Sequence, residues 1–118
     1  MTYSEERGTI DEALANVNRI IDILQERNPN VTILIEELAP GMSRIMTPTL
    51  SALFERMQVE IPALTNQQTT ATSRIIAVDM HTGFSDALLA DDVHYNVAGA
   101  KFIAERYYEA LQDVLITQ

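Results

Sequence analysis

Asp91 stands three residues ahead of His94, one of only two histidines in the chain, within the run Asp91-Asp92-Val93-His94-Tyr95-Asn96-Val97-Ala98-Gly99. An Asp just before a His on a tight turn can accept a hydrogen bond from one ring nitrogen, which leaves the other nitrogen free to take a proton from a nucleophile. The chemistry is that of an oriented general base, a role suited to an imidazole that titrates near neutral pH. Asp92 is adjacent and could compete as the orienting acid, but spacing favours Asp91. Asn96 has the form of an N-cap for a following helix, and a Gly at position 99 would let that helix approach neighbouring backbone closely.

This run resembles the last conserved block of the SGNH, or GDSL, family of ester hydrolases, whose pattern is Asp-x-x-His-Pro-Asn-x-x-Gly leading into the final helix. The resemblance implies a carboxylic-ester hydrolase in which His94 deprotonates a serine and later protonates the leaving alcohol, while Asp91 orients the ring and stabilises the imidazolium. It implies no cofactor and no metal. The implied fold is α/β, a three-layer α/β/α, flavodoxin-like parallel sheet, of which this chain would hold only the C-terminal part, two strands with three or four helices. Tyr95 departs from the pattern, which usually has Pro there, so a fixed φ is exchanged for a free N–H and a bulky ring beside the base.

The family's nucleophile block, Gly-Asp-Ser, is not found, nor are its oxyanion-hole Gly and Asn. Ser4, Ser43, Ser51, Ser73 and Ser85 are the available serines, and none has the Gly-rich surroundings that present a hydroxyl on a sharp turn after a strand. The expectation is therefore a chain that carries the acid–base half of a triad and lacks the nucleophile half. Other chemistry is weaker. Asp79 and His81 with Asp91 and His94 could be imagined as a metal site, but nothing in the sequence fixes the two loops against each other; Asp79 reads as a loop cap and His81 as a surface or rim residue. Glu36-Glu37 reads as a pair of solvated loop acids rather than a glycoside-cleaving pair. Met42, Met46, Met57 and Met80 read as core or loop fillers.

The elements that must position these residues alternate. Thr9-Ile10-Asp11-Glu12 has the form of a capping box, so a helix is expected from about Ile10, with Ile10, Ala13, Leu14, Val17, Ile20, Ile21 and Leu24 as its apolar stripe. Asn28-Pro29-Asn30 ends it, and the β-branched run from Val31 to Ile35 predicts a strand covered on both faces. A loop from Glu36 to Met46 follows. Thr47-Pro48 opens a second helix, which Pro62 must kink or split, with the kink placed near Glu60. Arg74 to Asp79 predicts a second buried strand ending in a carboxylate. After the Asp91 block, a last helix starts at Asn96 with Val97, Ala100, Ile103, Ala104, Tyr107, Leu111, Val114 and Leu115 as its stripe. This order predicts parallel strands with helices on both faces. Two strands alone leave both edges open.

At 118 residues the chain reads as one domain, 1–118. A formal net charge of −9 with only eight Lys and Arg argues against nucleic acid and anionic membranes as partners. No apolar run reaches the roughly 20 residues of a membrane span. With no Cys there is neither disulfide nor thiolate site. No signal peptide is visible, so the default compartment is the cytoplasm, or outside the cell if a leader precedes this segment. The expected partners are a small-molecule or carbohydrate ester substrate, and either a second copy of the chain or a complementing N-terminal segment. The rival reading from another class is a non-catalytic, self-associating α/β module.

Overall fold

Residues 3–116 are described in the computed structural model, with side chains from Thr9 onward. Helix α1 (Tyr3–Arg27) leads into β1 (Ile33–Glu37), a short 3-10 turn (Ser43–Ile45), α2 (Pro48–Gln68), β2 (Ile75–Asp79), a second 3-10 turn (Asp86–Leu88) and α3 (Val97–Ile116). The strands are parallel, with Ile33 opposite Ile75 and Glu37 opposite Asp79. The α-β-α-β-α order required this, since a helix-length crossover is what joins parallel neighbours.

Alternation along the strands sets the layers. Ile33, Ile35 and Ile75 face α1 and α2, where Ile21, Leu64 and Ile75 are buried together against Leu14 and Val17. Glu36 faces the opposite side and is met by Tyr107 of α3. The result is a three-layer α/β/α arrangement. Two polar contacts reinforce the first face: Arg56 of α2 pairs with Asp11 of α1, and Gln68 Nε2 donates to Asn18 Oδ1 at 2.8 Å. Arg74 and Asp113, 3.1 Å apart, tie the start of β2 to the end of α3.

Three local expectations change, and one open alternative is decided. Helix α1 already runs from Tyr3, so Thr9 to Glu12 lies inside it; the good helix formers Glu5, Glu6 and Arg7 outweigh Gly8. Strand β1 starts two residues later than Val31 because Val31 belongs to the turn. Its N–H donates to Asn28 O at 3.0 Å and its C=O accepts from the buried Ser73 hydroxyl at 2.6 Å. Helix α2 is not split: it continues through Pro62, where Ile61, Leu64 and Thr65 are buried and offset the missing N–H. Thr47 does cap it, accepting from Leu50 N at 3.2 Å, with Pro48 in the first turn. Finally, only part of the expected α3 stripe is covered. Gly99, Phe102, Ile103, Arg106, Tyr107, Ala110 and Val114 face the protein, whereas Val97, Leu111 and Leu115 face solvent.

Candidate active site

Asp91 and His94 sit on a loop closed by an isolated antiparallel bridge between Leu89 and Tyr95. Ala90 N donates to His94 O at 2.7 Å and Asn96 N to Leu88 O at 3.0 Å. Within the loop, Asp91 Oδ1 accepts from Val93 N at 2.9 Å and from His94 N at 2.7 Å, a side-chain turn of the kind Asp favours. The same carboxylate meets the ring: Nδ1 lies 2.8 Å from Oδ2 and 3.0 Å from Oδ1. A proton on Nδ1 satisfies this contact and leaves Nε2 as an acceptor facing outward, since the His94 side chain is 77% exposed. Amide donation from Val93 and His94, together with the imidazole, holds the Asp91 carboxyl well below its ordinary value, at about 2.

Asp92 is engaged elsewhere. Its carboxylate pairs with Arg44, 2.5 Å away, and its carbonyl accepts from Met42 N at 2.9 Å. Both partners lie on the loop after β1, so Asp92 fastens the Asp91–His94 loop to the end of the sheet.

The start of α3 is built as its residues suggested. Asn96 Oδ1 caps the helix through Gly99 N at 2.9 Å, and its Nδ2 donates to Ala87 O at 2.8 Å. A Cβ at Gly99 would lie 2.1 Å from Leu88 O, so the backbone approach that brings this helix against the second 3-10 turn admits only glycine.

His81 and Asp79 form a separate cluster. Asp79 Oδ1 accepts from His81 N at 2.8 Å and Thr82 N at 2.9 Å, capping the loop. Burial pushes the Asp79 carboxyl up, but the Thr82 and His81 hydrogen bonds and the nearby imidazole outweigh it, and the net displacement is downward. His81 Nε2 lies 3.3 Å from Glu37 Oε1, and the ring is largely covered rather than superficial. Among the described residues no group of three or more His, Asp or Glu is placed to hold a metal. Glu36 and Glu37 are not loop acids, because β1 runs on through both. Glu36 accepts from the Tyr107 hydroxyl, whose own ionisation is pushed up by burial and by that carboxylate. Sequence reasoning missed Arg44 and the Tyr107 contact and read Glu36 as a loop acid; the position of Glu36 at a strand's carboxyl end was the signal to weigh.

An open cleft of about 580 Å³ lies between the loops after β1 and β2, walled by Pro40, Gly41, Met46, Phe84 and Asp86. Ser43, Ser51 and Ser85 also line it. Ser43 donates to Asp86 Oδ1 at 3.0 Å, Ser51 to Met46 O at 3.4 Å, and Ser73 to Val31 O in the interior. The Ser4 side chain lies outside the described residues.

No protein-family profile matches the sequence, and no curated protein matches it. Two solved structures do. One is a carbohydrate esterase of family 3 from Talaromyces cellulolyticus, with a TM-score of 0.78 and 25% identity over 92% of this chain. The other is an acetyl esterase, solved as a serine-to-alanine mutant with an acetate ion, with a TM-score of 0.77 and 25% identity over 91% of this chain. The chain spans about half the length of each, 51% and 50%. The two parallel strands and three helices thus form the C-terminal part of an SGNH-type hydrolase fold. The particular proteins that share it are carbohydrate and acetyl esterases.

Proposed function

We propose that this chain supplies the acid–base half of a carboxylic-ester hydrolase, with His94 as general base and Asp91 as the group that orients it. The observation that carries this reading is the doubly contacted Nδ1 at 2.8 and 3.0 Å from one carboxylate, with Nε2 turned outward. Nε2 would take the serine proton as the hydroxyl attacks the ester carbonyl, then return it to the leaving alcohol; the Asp91 charge stabilises the imidazolium between those steps. The nucleophile and the oxyanion donors would come from a segment other than residues 3–116. The substrate class is an acylated carbohydrate or another small ester, supported by the esterase neighbours and by a cleft lined with hydroxyls and Phe84.

The test is a chimera in which the part of the Talaromyces esterase that this chain does not cover is joined to this chain. It should hydrolyse a small acetyl ester. His94→Ala should abolish turnover, and Asp91→Asn should lower it on the order of 10⁴-fold, as loss of the orienting carboxylate does in other triads. Full activity in the His94→Ala chimera would sink the proposal. The chain alone, of verified intact mass, should be inactive.

A second reading, a self-associating module without catalysis, is favoured by the uncovered side of β1, where all five residues keep some exposure. It predicts a dimer by light scattering and an inert chimera.

A further inference from the structure

We infer that Tyr95 and Phe84 are positioning residues for His94, joined in an aromatic ladder that runs from α3 through the loop after β2 to the base loop. The inference rests on the reading of His94 as the base, and it adds what holds that base in place. The ladder is rooted in Arg106. Its guanidinium donates to Asp79 O at 3.2 Å and to Thr82 O at 2.6 Å, and lies 4.7 Å from the centroid of the Phe102 ring. The loop after β2 is thereby fixed to α3. Gly83, at φ +82°, then turns the chain where a side chain would be strained. Phe84 follows and packs edge-on against Phe102, with centroids 5.7 Å apart, and against Tyr95, 5.9 Å apart.

Tyr95 is the neighbour of His94 in the chain, so this second contact reaches the base loop directly. The backbone does not need Tyr95 for the same purpose. The bridge across Leu89 and Tyr95 is closed by Ala90 N to His94 O and by Asn96 N to Leu88 O, and the Tyr95 amide takes part in neither bond. Its contribution is the ring. Asp91 and His94 are themselves largely exposed, so beyond the bonds they make to each other and to Val93 the pitch of the loop depends on its anchored ends. On one side the anchor is Asp92 on Arg44 and Met42; on the other it is Tyr95 on Phe84. Phe84 also lines the cleft, which makes one wall of the binding space the support of the base.

A proline at position 95 would fix φ, bias His94 toward extended backbone and remove no bridge hydrogen bond. It would make the loop stiff without the ring, and so independent of Phe84. The experiment is a double-mutant cycle on the full ¹⁵N-labelled chain: wild type, Phe84→Ala, Tyr95→Pro and the double variant. The readouts are the His94 ring ¹⁵N shifts, which report the tautomer, and hydrogen exchange of the His94 amide. Wild type should show the Nδ1–H tautomer. Phe84→Ala should mix the tautomers and speed His94 amide exchange about five-fold, the scale of one aromatic pair. Tyr95→Pro should keep the wild-type values, and adding Phe84→Ala to it should change nothing further. Tyr95→Ala, which leaves Phe84 on Phe102, should reproduce the Phe84→Ala behaviour and decides the matter if Phe84→Ala costs the fold. An equal effect of Phe84→Ala in both backgrounds, or none in the wild-type background, would overturn the inference. A wild-type His94 without a proton on Nδ1 would instead overturn the reading of the base, while the exchange cycle would still decide the ladder.

Discussion

A carboxylate that accepts two backbone amides and an imidazole N–H resists protonation, and Asp91 is such a group. Its folded-state pKa lies below the unfolded one, so its contribution is fully present above the ordinary Asp value of about 4 and is lost as pH falls from there through about 2. The group is exposed, so the effect is confined to the loop. In an NMR titration the Val93 and His94 amides should shift with a midpoint near the lowered Asp91 value, below that of free surface carboxylates. A midpoint at the ordinary Asp value would show that these bonds do not form in solution. Arg44→Ala should leave that midpoint in place, since Asp92 rather than Asp91 holds the arginine.

Helix α3 is set by its first turn. Asn96 satisfies both an amide of that turn and the Ala87 carbonyl outside it, so Asn96→Ala should cost about 1 kcal/mol. Gly99→Ala is more severe. The new methyl would meet a backbone carbonyl rather than a flexible side chain, and either α3 or the Asp86–Leu88 turn must give way, at roughly 1–3 kcal/mol. Urea denaturation should show both as a lower midpoint with unchanged slope, Gly99→Ala the larger. The reverse order would mean that α3 does not approach Leu88 as described.

Across the whole molecule the unusual feature is β1. Ile33 N donates to Arg74 O, and Glu37 O accepts from Met80 N, so residues 33, 35 and 37 direct their amides and carbonyls toward β2. Leu34 and Glu36 therefore direct theirs to the other edge, where no strand pairs among the described residues. Close to that strand, an apolar groove of about 220 Å³ runs between Ile10, Ala13, Leu38, Phe54 and Met57. Such an edge invites another strand. In dilute monomer the Leu34 and Glu36 amides should exchange fast while Ile35 and Glu37 are protected. Pairing with a second copy, or with a complementing segment in the chimera, should slow Leu34 and Glu36. Fast exchange of both in a species that light scattering shows to be a dimer would place the interface elsewhere.

The sequence by itself determined what local rules reach. The α-β-α-β-α order, the Thr47 and Asn96 caps and the Asp91 to His94 spacing follow from residues within a few positions of one another, and that order leaves parallel pairing as the expected arrangement. Tertiary structure decided the rest. That Asp92 is engaged elsewhere depends on Arg44, 48 residues away. The partner that covers the Glu36 carboxylate is Tyr107, 71 residues away. The placing of Phe84 against both the cleft and Tyr95 likewise joins segments that no periodicity relates. A carboxylate in isolation prefers water, and whether it stays solvated or is covered is settled only when packing brings a donor to it. That donor's arrival is a property of the assembled layers, and no short window of sequence contains it.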